Sequence, residues 1–243
     1  MRSDKIRYSL GSVVNFVLLH QTIIGQEAKI QLAKIGIEKP DIVIGCMGGG
    51  SNFAGLVIPF IRDKIHGIHP DIEMIGVEPR ACPSVCKGQY RWDFGDSAMK
   101  GPIAKMHTLG HTFIPSPIHA GGLRYHGIAP MISILYNNKL ISATKHHQTE
   151  VIGAGIKFAK AEGLLPAPET AHAVKEVIDQ ALKAKENNEK KVILFNLSGH
   201  GYFDLLAYKD FMAGNLVDYE LPSEEIKKAL ASEEMPIIDE SQF

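Results

Sequence analysis

Residues 41–53 read DIVIGCMGGGSNF, and this stretch decides the predicted fold. Its first part, 42–46, has the length and β-branched content of a buried parallel strand, and a helical pattern begins at Phe53. Between them, consecutive glycines remove the Cβ atoms that would keep an anion from the backbone. The helix that follows presents unpaired N–H groups and the positive end of its dipole. The stretch predicts a strand, an anion-binding loop and a helix, with a tight turn that binds nothing as the alternative.

Residues 48–52, here called the glycine loop, are predicted to hold a phosphate group. Ser51 and Asn52 suit the helix cap and can also donate side-chain hydrogen bonds to phosphate oxygens. The loop lacks the Gly-Lys-Ser/Thr ending of a Walker motif, and its spacing fails the Gly-x-Gly-x-x-Gly dinucleotide fingerprint. Glu73 and Glu78 lie near the distance expected for a ribose-binding carboxylate. The glycine spacing makes that dinucleotide interpretation the weaker alternative.

The composition limits the possible partners. Across 243 residues, 26 Lys and Arg balance 27 Asp and Glu, and no basic cluster is longer than a Lys-Lys pair such as Lys190-Lys191, so nucleic acid and acidic membranes are disfavoured. There is no apolar run of transmembrane length, and residues 1–6 lack the apolar core of a signal peptide. These features predict a cytoplasmic protein.

Cysteine usage fits the same compartment. Three cysteines suit a reducing environment without a disulfide framework. Cys82 and Cys86 form the only close pair and lack two further ligands at zinc spacing, so no metal site is predicted. Cys46, at the end of the predicted strand, is interpreted as a small core residue.

Strands alternate with helices along most of the chain, which predicts an α/β fold: a three-layer, open, mainly parallel sheet flanked by helices. Residues 78–127 contain turns rich in Gly, Pro and His, a length typical of functional loops. The predicted elements are a long helix over 10–35, strands over 42–46, 73–77, 140–144 and 191–196, and helices over 53–62, 128–137, 149–162 and about 171–186.

A second glycine-rich turn, residues 196–201, follows the last predicted strand. Ligands bind beyond the carboxyl ends of strands in open parallel sheets, so this turn and the glycine loop can meet on one ligand. Residues 1–215 are therefore predicted to form a phosphate-binding α/β domain. Residues 216–243 are predicted to form a peripheral C-terminal tail with a short helix near 223–230.

Three segments together resemble a known family: the glycine loop, Pro166–Ala173 (PAPETAHA) and Asn196–Gly201 (NLSGHG). Their order along the chain and their residues resemble those of the tryptophan synthase β-chain family of fold type II pyridoxal-phosphate enzymes. Residues 18–29, 75–84 and 119–126 resemble the divergent second class of these β chains. The resemblance covers nearly all of this chain, but only the carboxyl-terminal part of a family member. It implies a lyase of tryptophan biosynthesis that joins L-serine, or a related β-substituted amino acid, to indole by β-replacement.

The resemblance also implies site residues for pyridoxal 5'-phosphate. Ser198 is placed against the pyridine nitrogen; because a hydroxyl does not hold that nitrogen protonated, β-elimination and β-replacement are favoured over transamination. Glu169 matches a catalytic glutamate beside the cofactor ring, with an exposed first-turn helix glutamate as the alternative. The implied cofactor-binding residues are Gly48, Gly49, Gly50, Ser51, Asn52, Gly121, Gly122, Glu169, Ser198 and Gly199.

Arg124 and His119 are implied to contact the substrate. Arg124 stands near the place where the main β-chain class has an aspartate, and an arginine offers a bidentate grip on a carboxylate or phosphate. Phosphoserine is therefore an alternative to serine, and a structural ion pair is the alternative role for Arg124. His119 and His126 could donate protons, although such histidines more often satisfy backbone carbonyls.

The lysine that forms the Schiff base in this family has no counterpart here. Its Ser/Gly-His-Lys-x-Asn setting is absent, Lys145 precedes two histidines in the wrong order, and Lys29 and Lys34 lie upstream of the glycine loop. The chain is therefore expected to be a fragment or one piece of a split enzyme, inactive alone as a synthase. A large apolar face should meet a complementing amino-terminal half or a second copy, and a synthase α chain is a further possible partner.

Two other functions remain open from the sequence. Another fold type II lyase, such as a serine or threonine dehydratase or a cysteine synthase, would share the glycine loop. A non-catalytic module that binds a phosphate ligand or assists assembly would share it as well. The segments over 166–173 and 196–201 favour the tryptophan synthase group.

Overall fold

The computed structural model describes residues 11–232, 235–239 and 241. Its centre is a four-stranded sheet in the order β5-β2-β1-β6, and each neighbouring pair is parallel. Ile44 of β1 lies opposite Ile75 of β2 and Phe195 of β6. The strands are β1 (Ile42–Cys46), β2 (Glu73–Pro79), β5 (Ser142–His146) and β6 (Ile193–Phe195).

Helices cover both faces of this sheet, which confirms the predicted three-layer α/β fold. Side chains alternate along β1, so Val43 packs with α3 on one face while Ile42 and Ile44 pack with Ala173 of α7 on the other. The helices are α1 (Asn15–Gln21), α2 (Ile23–Lys34), α3 (Ser51–Ile65), α4 (Ser84–Lys87), α5 (Pro130–Asn137), α6 (Gln148–Glu162), α7 (Pro168–Glu186), α8 (Leu205–Met212) and α9 (Ser223–Leu230).

The single long helix predicted over 10–35 is wrong, because the described part of that segment forms two helices that meet at Thr22. An i to i−3 hydrogen bond from Thr22 N to Leu19 O, 3.2 Å, tightens the chain there. Both helices lie close to α3: a Cβ on Gly25 would come within 2.3 Å of Leu56 O. The sequence did not show this break, because the helical spacing of apolar residues is the same before and after it.

The stretch 78–127 is more regular than its sequence indicates. It contains α4 and an antiparallel hairpin of β3 (Gln89–Phe94) and β4 (Ile103–Thr108). A buried cluster holds the hairpin to the following loop: Asp93 accepts hydrogen bonds from Thr108 Oγ1 at 2.6 Å and from His111 Nδ1 at 2.7 Å. The interpretation of this stretch as turns alone is wrong. The hairpin depends on buried polar side chains that bond to one another, and such residues do not produce the apolar alternation by which a strand is recognised in a sequence.

The segment after β6 contains a helix that was not predicted, α8, and the short helix expected near 223–230, which is α9. Ile226 and Leu230 of α9 pack against Leu109 and Phe113. The division into a domain over 1–215 and a tail over 216–243 stays a prediction. Cys46, Cys82 and Cys86 are free thiols in the structure. Within the described residues, we find no helix with both the length and the apolar character needed to span a bilayer.

Candidate functional site

The glycine loop lies at the carboxyl end of β1 and leads directly into α3, which begins at Ser51. Gly50 has a φ of 106°, a left-handed conformation that favours glycine. A Cβ on Gly48 would lie 2.4 Å from the carbonyl oxygen of Gly122, so only a glycine allows the two backbones to meet this closely. The loop therefore brings bare backbone to a helix N-terminus, which is the predicted anion-binding geometry.

A cavity of about 260 Å³ opens over the glycine loop. Gly122, Glu169 and Ser198 line it together with the loop, as do Ser12 and Gln21 of the α1 region. Five segments of the sequence thus meet at one edge of the sheet. The predicted convergence of the glycine loop with the turn after β6 is therefore present in the structure.

The turn after β6 is held in place by a short antiparallel contact. Pro166 and His200 form a β-bridge, Ala167 N donates to Gly199 O at 2.9 Å, and Gly201 N donates to Leu165 O at 2.7 Å. This contact fixes the segment 196–201 against the start of α7. Ser198 consequently faces the cavity beside the first turn of that helix.

Glu169 occupies the first turn of α7, directly after a proline that begins the helix. Its Oε1 accepts a hydrogen bond from Gly122 N at 2.8 Å. The carboxylate therefore does more than face solvent near the helix dipole, because it fastens the 121–123 turn to α7. Its predicted place beside a cofactor ring is compatible with this position.

Ser198 has three polar neighbours, because its side chain also forms a hydrogen bond with the buried Cys46 thiol. Its Oγ lies 3.2 Å from Asn52 Nδ2 and 3.1 Å from Thr170 Oγ1. Thr170 and Asn196 were not among the predicted site residues, although both stand within the quoted motifs. The sequence did not predict a site role for these two residues, because short polar residues beside glycines and helix starts usually serve as caps.

Cys46 borders the same cavity. Its Sγ accepts a hydrogen bond from Asn52 Nδ2 at 2.8 Å, and burial raises the pKa of the thiol to about 11. At neutral pH the sulfur therefore stays protonated and behaves as the small buried residue expected from the sequence.

Four predicted residues lie outside the cavity lining. Gly121 and Gly199 are sequence neighbours of lining residues. Arg124 Nη2 donates to the carbonyl oxygen of Pro115 at 2.7 Å, so its guanidinium faces the loop before it. His119 Nε2 lies 3.7 Å from Asp210 Oδ2 of α8. The geometry thus brings the cofactor residues together and leaves the two implied substrate residues apart from them.

Other polar candidates take structural roles. His126 Nε2 is paired with the Phe94 carbonyl at 2.8 Å, and burial lowers the pKa of this histidine. Glu78 is fully buried and accepts hydrogen bonds from Ser84 Oγ, Val85 N and Cys86 N within 3.0 Å. Burial raises the pKa of Glu78. A carboxyl group bound in this way is unavailable to a ribose. Glu73, the other acidic candidate, begins β2 opposite Ile42, at the end of the sheet away from the glycine loop.

A cluster that the sequence did not indicate lies at the carboxyl end of β5. His146, Glu176 and Asp179 offer ligand atoms within 4.8 Å of one another, a spacing that a metal ion could use. His146 Nε2 bonds Glu176 Oε2 at 2.8 Å, and Lys175 Nζ bonds Asp179 Oδ1 at 2.7 Å. The side chains of this cluster therefore already have hydrogen-bond partners. The Lys175 ammonium beside Asp179 would also repel a metal cation.

The residues around the glycine loop fit a phosphorylated pyridine. The backbone of the loop is closely packed, since a Cβ on Gly49 would lie 2.3 Å from Ser12 Oγ, and the cavity opens beside this bare backbone. Free N–H groups in the first turn of α3 suit phosphate, and the Ser198 hydroxyl suits a ring nitrogen. Among the described residues, none that lines this cavity is a lysine.

Comparison with known proteins agrees with this geometry. Residues 9–199 match the family described as pyridoxal-phosphate dependent enzyme. The chain is 59% identical over 220 residues to the tryptophan synthase beta chain of Thermococcus onnurineus and 58% identical over 220 residues to that of Pyrococcus horikoshii. It is 58% identical over 217 residues to the tryptophan synthase beta chain 2 of Aquifex aeolicus. These matches cover 90%, 90% and 88% of this chain but 49%, 47% and 50% of the relatives. The chain therefore spans about half the length of the curated relatives it matches.

Two solved structures share the fold. A threonine deaminase from T.th. matches with a TM-score of 0.54 and 19% identity, over 76% of this chain and 54% of that one. A fungal L-serine ammonia-lyase from Rhizomucor miehei matches with a TM-score of 0.58 and 15% identity, over 83% of this chain and 57% of that one. Because the family match spans most of the chain and its glycine loop, Glu169 and Ser198 converge on one cavity, the chain belongs to the pyridoxal-phosphate dependent enzyme family.

Proposed function

We propose that this chain forms the cofactor-phosphate part of a pyridoxal-phosphate lyase of the tryptophan synthase β type. The reaction would join L-serine, or a related β-substituted amino acid, to indole. The observation that carries the proposal is the meeting of the glycine loop, Glu169 and Ser198 around one cavity. The identity of 58–59% to tryptophan synthase beta chains supports this reaction over that of other lyases with the same fold.

The glycine loop would bind the phosphate mainly through backbone. The first N–H groups of α3 have no partner within the helix and point toward the loop, where the helix dipole also favours negative charge. Ser51 is the loop side chain placed to add a hydroxyl donor. Pyridoxal phosphate, when bound, supplies a ring that withdraws electrons from the Cα atom of an attached amino acid.

Ser198 would set how strongly that ring withdraws electrons. Its hydroxyl faces the cavity and can donate a hydrogen bond to a ring nitrogen without placing a negative charge beside it. A carboxylate in the same place would hold the nitrogen protonated. The neutral donor favours loss or exchange of a group at the β carbon over transfer of the amino group.

Glu169 would act from the first turn of α7. Its carboxylate holds the 121–123 turn through Gly122 N, and this turn would flank the cofactor. A carboxylate beside the reacting amino acid can also hold or move a proton. We infer that its first task is positional, because the hydrogen bond to Gly122 occupies Oε1.

The amine that binds the cofactor covalently must come from another segment, since no described residue lining the cavity is a lysine. We infer that this segment docks on an apolar rim defined by Leu197, Phe203, Leu205 and Leu206. Their side chains are 42–93% exposed, and Leu197 adjoins Ser198. Contiguous exposed apolar residues of this kind are typical of an interaction surface. A complementing amino-terminal half is our proposed occupant; a second copy and a synthase α chain are further predicted partners.

We place serine before phosphoserine as the substrate. Arg124 could grip a phosphate, but its Nη2 already donates to Pro115 O. Binding a phosphate would require the guanidinium to leave that carbonyl. His119, beside Asp210, is likewise turned toward α8. The cytoplasmic location stays a prediction from the sequence.

The first test is spectroscopic. The purified chain is mixed with pyridoxal phosphate, its absorbance spectrum is recorded, and the sample is treated with borohydride and analysed by mass spectrometry. We expect saturable binding that pyridoxal, lacking the phosphate, does not reproduce, and no label fixed on a specific lysine. Equal affinity for pyridoxal, or a single labelled lysine in this chain, would contradict the proposal.

The second test is complementation. The chain is mixed with the amino-terminal half of the Thermococcus onnurineus relative, serine, indole and cofactor, and tryptophan is measured. We expect synthesis only from the mixture. Leu206→Ser should weaken complementation because Leu206 is 59% exposed on the rim, whereas Ile65→Ser, at the far end of α3 and 60% exposed, should not. Equal effects of both substitutions would remove the rim from the proposal.

A non-catalytic phosphate-binding module is the second candidate. It is favoured by the absence of a lysine from the described lining of the cavity. Phosphate-dependent binding without any tryptophan synthesis from the complemented mixture would support this role.

A further inference from the structure

The side-chain amides of Asn52 and Asn196 have only one consistent arrangement. Asn196 Nδ2 lies 3.0 Å from the backbone carbonyl of Asn52, and a carbonyl can only accept. The NH₂ group of Asn196 therefore faces Asn52. The Asn52 side-chain atom 2.6 Å from that group must then be its oxygen, Oδ1. The Asn52 NH₂ group consequently points the other way, toward Ser198 and Cys46.

Both hydrogens of that NH₂ group are already used. One is directed to Ser198 Oγ at 3.2 Å and the other to Cys46 Sγ at 2.8 Å. An amide NH₂ has two donors and no more. The Asn52 side chain is therefore unable to donate to a phosphate without breaking one of these bonds, whereas its backbone N–H in the first turn of α3 is unaffected. This differs from the sequence expectation, in which the Asn52 side chain could bind phosphate directly.

The Ser198 hydroxyl has one hydrogen and two lone pairs. Asn52 Nδ2 fills one lone pair. Thr170 is fully buried, and its hydroxyl lies 3.1 Å from Ser198 Oγ. If Ser198 donated to Thr170, the hydroxyl hydrogen of the buried Thr170 would lose this acceptor. A buried donor without an acceptor destabilises the protein. Donation by Thr170 satisfies both groups and fills the second lone pair. The Ser198 hydrogen is then left for the cavity, since its acceptor in the protein, Cys46 Sγ, is weak and already accepts from Asn52 Nδ2.

We propose that Asn52 and Thr170 are positioning residues that direct the Ser198 hydrogen into the cavity, toward the pyridine nitrogen, and that the Asn52 side chain is not a phosphate ligand. The proposal rests on the proposed function for the identity of the ring. Asn196 acts one step further out, since it fixes which way the Asn52 amide faces. The side chains of two neighbouring loop residues would thereby have different roles: Ser51 would bind the phosphate, and Asn52 would orient Ser198 toward the ring.

The arrangement is electrically neutral. The Cys46 thiol stays protonated because burial raises its pKa to about 11, so no thiolate lies beside Ser198 at neutral pH. Neither amide nor hydroxyl carries a charge. From Ser198 and the groups that contact it, the ring nitrogen would therefore meet one oriented dipole and no charge. This deepens the functional proposal by naming the residues that keep Ser198 a donor.

The test compares the two loop neighbours. The full chain and its Asn52→Ala, Ser51→Ala, Thr170→Val, Thr170→Ser and Ser198→Ala variants are titrated with 4-deoxypyridoxine 5'-phosphate labelled with ¹⁵N in the ring. This probe lacks the aldehyde and so does not react with lysines. The ring ¹⁵N resonance reports the Ser198 hydrogen bond, and the ³¹P resonance together with the affinity for inorganic phosphate reports the phosphate site.

For Asn52→Ala and Thr170→Val we expect the ¹⁵N resonance to move toward its position in Ser198→Ala. Affinity for inorganic phosphate should stay within about twofold, because no donor to phosphate is lost. Thr170→Ser should restore the resonance. Ser51→Ala should do the reverse, weakening phosphate binding by about tenfold with an unchanged ¹⁵N resonance. Thr170→Val decides the question if Asn52→Ala does not fold.

Two results would overturn the proposal. In the first, Asn52→Ala weakens phosphate binding as much as Ser51→Ala does. In the second, Asn52→Ala and Thr170→Val leave the ¹⁵N resonance at its wild-type position. Failure of the wild-type chain to bind the labelled ring would instead overturn the proposed function together with the role of the ring nitrogen. The inorganic phosphate arm would still decide whether the Asn52 side chain is a phosphate ligand.

Discussion

Glu169 Oε1 accepts a hydrogen bond from the backbone N–H of Gly122 at 2.8 Å, which ties the first turn of α7 to the turn that faces the glycine loop. Gly122 in turn lies against Gly48, since a Cβ on Gly48 would be 2.4 Å from Gly122 O. The two cavity walls are therefore coupled through one short turn. Substitutions at Glu169 or Gly48, which contact Gly122 from either side, should therefore alter the geometry of the phosphate site.

Glu169→Ala should loosen this turn. The substitution leaves the Gly122 N–H without its acceptor, at a cost of about 1 kcal/mol in the free energy of unfolding. Amide hydrogen exchange at Gly122 should accelerate, while Glu169→Gln, which keeps an acceptor oxygen, should stay close to wild type. Identical exchange rates in the Ala and Gln variants would show that the hydrogen bond does not hold the turn.

Gly48→Ala should abolish phosphate binding. The new Cβ would lie 2.4 Å from Gly122 O, which is backbone and moves only if the turn moves. Gly121→Ala is the matched control, because a Cβ on Gly121 meets nothing within 4 Å. Calorimetric titration with pyridoxal phosphate should show loss of binding in the first variant alone. Retained affinity in Gly48→Ala would contradict the close packing of loop and turn.

Asp93→Ala should strongly destabilise the fold. Asp93 is fully buried and accepts hydrogen bonds from Thr108 Oγ1, Phe94 N and His111 Nδ1 within 2.8 Å. Removing one partner of a buried polar cluster costs about 3–5 kcal/mol. Urea unfolding should give a lower midpoint with an unchanged slope. Glu224→Ala, on the exposed face of α9, is the control and should change the midpoint little.

His172 should make stability depend on pH. Burial lowers the pKa of His172 from 6.5 to about 4, so the unfolded chain takes up a proton before the folded chain does. Stability is therefore lost as the pH falls from about 6.5 toward 4, by on the order of 3 kcal/mol in full. His172→Asn can keep the donation that Nδ1 makes to Pro168 O, but it does not titrate.

The measurement is the urea midpoint of both proteins between pH 8 and pH 4, values that bracket the shift from 6.5 to about 4. The wild-type curve should fall more steeply than the His172→Asn curve below about pH 6.5. Parallel curves would mean that His172 is protonated equally in the folded and unfolded states.

The sequence predicted the parts of the fold that repeat a pattern. β1 and α3 were predicted from an apolar run followed by glycines. β1 has the expected bounds, and α3 begins at Ser51, two residues before the expected Phe53. The hairpin of β3 and β4 was missed because Arg91, Trp92 and Asp93 show no clean apolar alternation. Its stability comes from the Asp93 cluster, which forms only when residues distant in the sequence meet.

The site was predictable where single residue types carry the chemistry. The glycine loop, Glu169 and Ser198 were named from the sequence, and the structure gathers them at one cavity. The roles of Thr170 and Asn196 depend on which hydrogen bonds are already occupied, and a linear motif does not contain that information. Arg124 had a chemical argument for substrate binding, but its hydrogen bond to Pro115 O was not visible in the sequence.

The central claim is that the cavity over the glycine loop holds the phosphate and ring of pyridoxal phosphate. A crystal structure of the chain with 4-deoxypyridoxine 5'-phosphate tests it most directly. We predict the phosphate within hydrogen-bond distance of the backbone of residues 48–52 and the ring nitrogen within hydrogen-bond distance of Ser198 Oγ. A ligand bound elsewhere, or a ring turned away from Ser198 with the phosphate outside the glycine loop, would contradict the account.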